Sequence, residues 1–220
     1  MKKNTPKAKS PSSKETLVAF VLDKSGSMSS VRQATISGFN EYVGTLRKDK
    51  KSKYAMSFTL FDTNVEKRHV NEPLSSVENL TEVNYRPDGM TALYDAAMQT
   101  ITETEKVAKK GQPVLCVIMT DGEENSSKEY TEKDLKAKTG ELEKKGWTFV
   151  FLGANQDAWA VGQKFGMSQA NVANYHSTVA GTRGAFAAVA MNTVAYSAGG
   201  GAGGSKFFTT EDQEALDNTK

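Results

Sequence analysis

The sequence predicts an α/β domain: a mainly parallel sheet with helices on both faces. Three observations carry this. Leu17–Leu22, Pro113–Thr120 and Thr148–Leu152 are short, nearly continuous apolar runs, the pattern of strands buried on both sides. Between them lie segments whose apolar residues recur at helical spacing. Alternation of the two implies βα units, whose crossovers lay helices over both faces of a sheet.

Taken in order, Leu17–Leu22 is the first buried strand. Ser29 and Ser30 then offer helix N-caps, and Val31, Ala34, Thr35, Phe39, Tyr42, Val43 and Leu46 predict a helix over about 29–47. Arg47, Lys48, Lys50 and Lys51 suit its negative end. Tyr54–Phe61 reads as a strand, with Val65–Val70 its antiparallel neighbour at an edge. Residues 71–90 are irregular, with Pro73, Pro87 and Gly89. A helix is predicted over 91–109, the second buried strand over 113–120, and a more polar helix over 131–145 that Gly146 ends. The third buried strand follows, then a short helix over 157–165 and a last strand over 172–175. The apolar, alanine-rich helix 179–196 completes the domain.

A chain of 220 residues suits one domain with tails and buries enough surface to need no disulfide staples. The lone Cys116 lies in an apolar run and reads as a core residue, which suits a reducing compartment. The net charge of +2 is unevenly spread. Five lysines and no acid stand in the first fourteen residues, leaving 23 basic against 26 acidic side chains in the rest. A slightly acidic body is a poor binder of phosphate backbones, so nucleic acid is not an expected partner. No apolar stretch is long enough for a membrane span or a signal-peptide core, and the expected location is cytoplasmic. Three regions follow: a disordered basic tail over 1–15, the domain over 16–197, and a glycine-rich linker with an acidic tail over 198–220. That tail either stays disordered or, on its flexible tether, delivers a carboxylate to a site on the domain.

In parallel sheets, ligands sit in the loops at the carboxyl ends of the strands. Here those loops are rich in oxygen donors: Asp23-Lys-Ser25-Gly-Ser27 after the first strand, Gly89-Met-Thr91 opening a helix, and Thr120-Asp121-Gly122 after the second buried strand. Alternate residues of an extended loop point the same way, so Asp23, Ser25 and Ser27 are able to converge. Gly26 permits the tight backbone this needs. Two carboxylates and several hydroxyls, with no imidazole or thiol, select a hard cation such as Mg²⁺, Mn²⁺ or Ca²⁺.

The pattern D-x-S-x-S, a threonine opening a later helix, and T-D-G after a buried strand resembles the metal-ion-dependent adhesion site of von Willebrand factor A domains. The match is Asp23, Ser25, Ser27, Thr91 and Asp121, and the resemblance covers about residues 16–197. Gly89-Met-Thr-Ala-Leu-Tyr-Asp-Ala96 and Phe151-Leu-Gly-Ala-Asn-Gln-Asp157 look most similar to small stand-alone versions from bacteria and phages. The resemblance implies a doubly wound, Rossmann-like sheet with one antiparallel edge strand. It also implies Mg²⁺-dependent binding of a protein whose Glu or Asp completes the metal shell, and no enzymatic activity.

Glu123, Glu124, Asn125 and Asn155 are expected to rim the metal, either selecting the partner by charge and hydrogen bonding or capping helices in a solvated loop. Asp88, Tyr94 and Asp95 are expected to cap rather than ligate. His69 and His176 are expected in ordinary surface or edge-strand positions. Three rival readings stay open. One is a metal-assisted hydrolase with Glu123 or Glu124 as base. Another is a homo-oligomeric structural component, such as a phage-particle protein. The last is an accessory subunit of an ATP-driven machine. The oligomeric state is not legible.

Overall fold

The computed structural model describes residues 15–154, 157–201 and 206–219. Residues 1–14 of the basic tail, Asn155 and residues 202–205 of the glycine linker therefore lie outside the described residues. Six strands form one sheet in the order β3-β2-β1-β4-β5-β6. They are β1 (Thr16–Asp23), β2 (Tyr54–Phe61), β3 (Val65–Pro73), β4 (Val114–Thr120), β5 (Trp147–Ala154) and β6 (Val172–Tyr175). Every neighbouring pair is parallel except β2 and β3, which run antiparallel at one edge. The order reverses direction around β1 and β4. This is the doubly wound arrangement, and it opens a crevice at the carboxyl ends of those two central strands.

Strand β1 shows why the apolar runs are continuous. Its side chains alternate between two cores, with Val18, Phe20 and Leu22 on one face and Leu17, Ala19 and Val21 on the other. The first face is covered by α1 (Arg32–Lys48) and α5 (Val179–Ala198), the second by α2 (Leu93–Val107), α3 (Glu132–Glu143) and α4 (Ala158–Lys164). Phe20 anchors the first core: its ring lies against Phe39, Tyr42, Phe58 and Phe186. Helices α1 and α5 approach closely because Gly38 has no side chain; a Cβ there would lie 2.4 Å from Phe186 Cδ2. No helix among the described residues is long and apolar enough to cross a membrane.

The structure departs from the sequence expectation in three places. Ser29 and Ser30 do not cap α1. They lie within a 3₁₀ turn, Gly26–Val31, that leads into the helix. This tighter turn is the continuation of the loop that gathers the hydroxyls of Ser25 and Ser27. Strand β3 runs on to Pro73, because a register irregularity opposite Met56–Phe58 lets Asn71 take a left-handed conformation and donate its N–H to Ser57 Oγ. The acidic end is not a loose tail. Residues Thr210–Asn218 form α6, started by a capping box between Thr209 and Asp212. Phe207, Phe208 and Leu216 bury against the first core. Gln213 donates to the carbonyls of Gln169 and Val172, beside the edge strand β6.

Candidate metal centre

Asp23 is the last residue of β1 and Asp121 follows β4, so the two central strands deliver both carboxylates to the crevice. Both are buried, as are Ser25 and Thr91, while Ser27 is exposed and leaves the cluster open to solvent on its side. Ser27 Oγ donates to Asp121 Oδ1 at 2.5 Å and lies 3.1 Å from Ser25 Oγ. The Ser25 N–H donates to Asp23 Oδ1 at 2.6 Å, folding the loop back on its own carboxylate. A single point marks the convergence. A Cβ built on Gly122 would stand 2.9 Å from Thr91 Oγ1, 3.5 Å from Ser27 Oγ and 3.7 Å from Asp23 Oδ2. Absence of a side chain at 122 keeps that space free.

The electrostatics call for a cation. Burial pushes the Asp23 carboxyl up from its ordinary 3.8 to about 6; hydrogen bonds from Thr120 and Ser25 oppose the shift, and the nearby Asp121 charge adds to it. Among the described residues, neither Asp23 nor Asp121 has a Lys or Arg partner; the adjacent Lys24 turns instead to Asp62. Two buried carboxylates without a countercharge are costly, and a divalent ion relieves that cost. Among the described residues no group of three or more His, Cys, Asp and Glu side chains is placed to hold a metal. The side-chain donors available here are therefore the two carboxylates and the neighbouring hydroxyls. Asp23, Ser25, Ser27, Thr91 and Asp121 supply that mixture, and it fits a hard, oxygen-seeking ion.

Several further groups hold the candidate ligands in place. Thr120 Oγ1 donates to Asp23 Oδ2 at 2.5 Å and accepts from the Gly122 N–H. Ser177, just past β6, donates to Asp121 Oδ2 at 3.1 Å. The buried Tyr85 hydroxyl donates to the Asp23 carbonyl at 2.7 Å, and Tyr175 to the Thr120 carbonyl at 3.3 Å. Thr120 was visible inside the T-D-G motif. Ser177 had a positional signal, since it follows a parallel strand at the same end of the sheet. Tyr85 had none, because it sits in the irregular 71–90 segment.

That segment is stitched to the centre. Gly26 N–H donates to Gly89 O, Asp88 N–H to Lys24 O, and Met90 N–H to Thr63 Oγ1. Gly89 takes φ +71°, and a Cβ there would strike Thr63 Oγ1 at 2.6 Å. Thr91 does not begin α2. Its N–H donates to Asn125 Oδ1, its carbonyl accepts from Asn125 N–H, and α2 starts at Leu93.

The rim residues divide. Glu123 is exposed beside Asp121. Asn125 is committed to Thr91. Glu124 is also committed: one carboxylate oxygen accepts from the N–H groups of Ser126 and Ser127, the other from Ser127 Oγ and the Tyr94 N–H. Asp95 accepts three backbone N–H groups, from Lys128, Glu129 and Tyr130, and so fastens the 121–130 loop to α2. Asp88 accepts from Gly89 N–H, stabilising a turn rather than capping a helix. Neither histidine joins the centre: His69 pairs with Phe58 on the edge strand, and His176 Nε2 lies 2.7 Å from the Asp217 carbonyl.

Comparison with known proteins bears on this arrangement. Residues 18–188 match the family model of the von Willebrand factor type A domain. No curated protein matches the chain in sequence. Among solved structures, the mussel byssus proximal thread matrix protein 1 with a zinc-occupied adhesion motif superposes with a TM-score of 0.60 at 15% identity, over 84% of this chain and 46% of that one. This chain thus spans about half the length of that relative. Manganese-loaded TRAP protein from Plasmodium vivax gives 0.54 at 15% identity, over 74% and 69% of the two chains. The domain of the type V pili tip protein Mfa5 from Porphyromonas gingivalis gives 0.59 at 9% identity, over 82% and 95%.

Proposed function

Because the chain belongs to the von Willebrand factor type A family, we propose that it is a protein-binding module that works through one divalent metal. Asp23, Ser25, Ser27, Thr91 and Asp121 hold the ion, which is Mg²⁺ or, by the same chemistry, Mn²⁺ or Ca²⁺. A carboxylate from a partner protein, Glu or Asp, takes the position left open toward solvent. The observation that carries this reading is the pair of buried carboxylates, Asp23 and Asp121, which have no Lys or Arg partner among the described residues and converge with the hydroxyls of Ser27 and Thr91.

A divalent ion held here would offer, on its solvent side, a coordination position that an external carboxylate can fill, because the two aspartates and the hydroxyls supply only part of its shell. The chain's own residues do the rest. Thr120 and Ser177 aim the two carboxylates, Tyr85 pins the backbone of Asp23, and Asn125 fixes the height of Thr91. Zinc and manganese in the named relatives support a divalent ion at such a motif; the all-oxygen donor set here favours Mg²⁺ or Mn²⁺ over zinc. Hydrolysis is the weaker reading. Both oxygens of Glu124 are occupied by four hydrogen bonds, so it is poorly placed as a general base.

Affinity capture in Mg²⁺ and in chelator tests the proposal, with Asp23→Ala and Thr91→Ala as controls. Capture of the same protein by wild type in Mg²⁺ alone supports it. Capture that survives chelator and both substitutions contradicts it.

A further inference from the structure

Beside the metal centre lies a groove with an uncompensated positive charge. Ser29, Arg32, Glu82, Val83, Arg86 and Pro87 line about 580 Å³ of open space. The groove is built from the same two segments that carry the ligands. Ser29 is two residues past Ser27, in the same 3₁₀ turn. Pro87 precedes Asp88, whose N–H is bonded to Lys24 O.

Among the described residues, neither guanidinium group is paired with a carboxylate. Arg32 spends its Nε on the Tyr85 carbonyl at 3.1 Å and an Nη on the Glu82 carbonyl. Arg86 reaches the same Glu82 carbonyl only weakly, at 3.4 Å. Glu82 lines the groove too, yet among the described residues no ion pair joins it to either arginine. Bonding to neutral carbonyls leaves both positive charges in place, on a body that otherwise carries a slight acid excess. The apolar content is also exceptional. Val83 is 74% exposed in the groove wall, and Met90, next to the ligand Thr91, is 51% exposed. A cationic groove walled in part by Val83 and Pro87, next to the proposed carboxylate-accepting metal site, is complementary to an acidic, partly apolar peptide segment.

We infer that the partner presents two acidic residues, one for the metal and a second for the groove of Arg32 and Arg86. The inference rests on the proposed metal-dependent reading. The second acid forms charge-assisted hydrogen bonds with the free guanidinium edge of Arg86. Val83 and Met90 pack against apolar side chains of the same segment. Arg32 is a positioning residue as well, since it holds the carbonyl of Tyr85, whose hydroxyl supports Asp23.

The test uses the full chain with saturating Mg²⁺ and synthetic peptides that carry two glutamates separated by glycine spacers of increasing length. In matched peptides one glutamate is replaced by glutamine. One spacer length is expected to bind about five- to tenfold more tightly than its singly acidic match, the gain shrinking as salt rises. Arg86→Glu removes that gain and retains Mg²⁺ binding; the singly acidic peptides, which reach only the metal, weaken far less than the doubly acidic one. Arg86 is exposed, so the fold tolerates the change; Arg86→Gln gives an intermediate loss. Equal binding of doubly and singly acidic peptides at every spacing, with Mg²⁺ dependence intact, overturns the groove and leaves the metal reading standing. A gain that persists in Arg86→Glu also overturns it. Binding of both peptide classes without Mg²⁺ overturns the metal reading itself.

Discussion

The Ser27 hydroxyl donates to Asp121 Oδ1 at 2.5 Å, joining two loops that stand 94 positions apart in sequence. It is made possible by the parallel pairing of β1 with β4, which sets Leu22 opposite Met119 and so brings both following loops to one point. The oxygen donors of the two loops are therefore already gathered in the metal-free chain.

Gly122→Ala tests the shape of that point. A Cβ there would lie 2.9 Å from Thr91 Oγ1 and occupy the space between Thr91, Ser27 and Asp23. Cation affinity is expected to fall by at least tenfold in calorimetry, while circular dichroism and the melting temperature change little. Unchanged affinity would place the ion elsewhere.

The raised Asp23 pKa predicts a pH dependence with a definite sign. Between the ordinary value of 3.8 and about 6, the folded chain holds a proton that the unfolded chain releases. The stabilising contribution is thus full below pH 3.8 and is lost as pH rises through about 6. Denaturant titrations of the metal-free chain should show this loss over that window, apart from the opposite contributions of Asp49, Glu105 and other depressed carboxylates. Asp23→Asn removes it. Cation affinity runs the other way, weakening as pH falls below about 6, because the ion competes with the proton. Affinity constant from pH 5 to 7 would contradict the assignment.

Ser177→Ala tests the support beneath the ligands. Its hydroxyl donates to Asp121 Oδ2 and orients that carboxylate, so cation affinity should drop by about tenfold. Global stability should move by about 1 kcal/mol. Affinity equal to wild type would reduce Ser177 to a bystander.

Phe208→Ala tests α6 as part of the domain. The ring is buried against the first core beside Phe207 and Leu216. The loss in denaturant titrations should reach about 3 kcal/mol, as for other fully buried phenylalanines. A loss within about 0.5 kcal/mol would mean that the helix is not held there in solution.

How much of this was legible follows from where the physical signal lies. Strands buried on both faces leave an unbroken apolar run, so β1, β4 and β5 were plain, and their carboxyl ends pointed to Asp23 and Asp121. The candidate hydroxyls were legible through the spacing of Ser25 and Ser27 and through the family resemblance, and the structure brings Ser25, Ser27 and Thr91 to the same end of the sheet as Asp23 and Asp121. The supports were harder to see, because Tyr85 and Ser177 reach the site through single long-range hydrogen bonds that leave no periodic trace, and only Ser177 had its place after a parallel strand to mark it. The commitment of Glu124 to four local bonds was equally hidden: a glutamate that braces a loop and one that greets a partner look alike in sequence. Helix α6 escaped notice because it buries only Leu216, with its two anchoring phenylalanines placed ahead of the helix rather than along one face.

The most direct measurement is calorimetric titration of the full chain with Mg²⁺ and Mn²⁺, alongside Asp23→Ala and Asp121→Ala. One ion should bind per chain in wild type, and neither variant should bind while both remain folded. Absence of binding in wild type, or undiminished binding in both variants, would contradict the account.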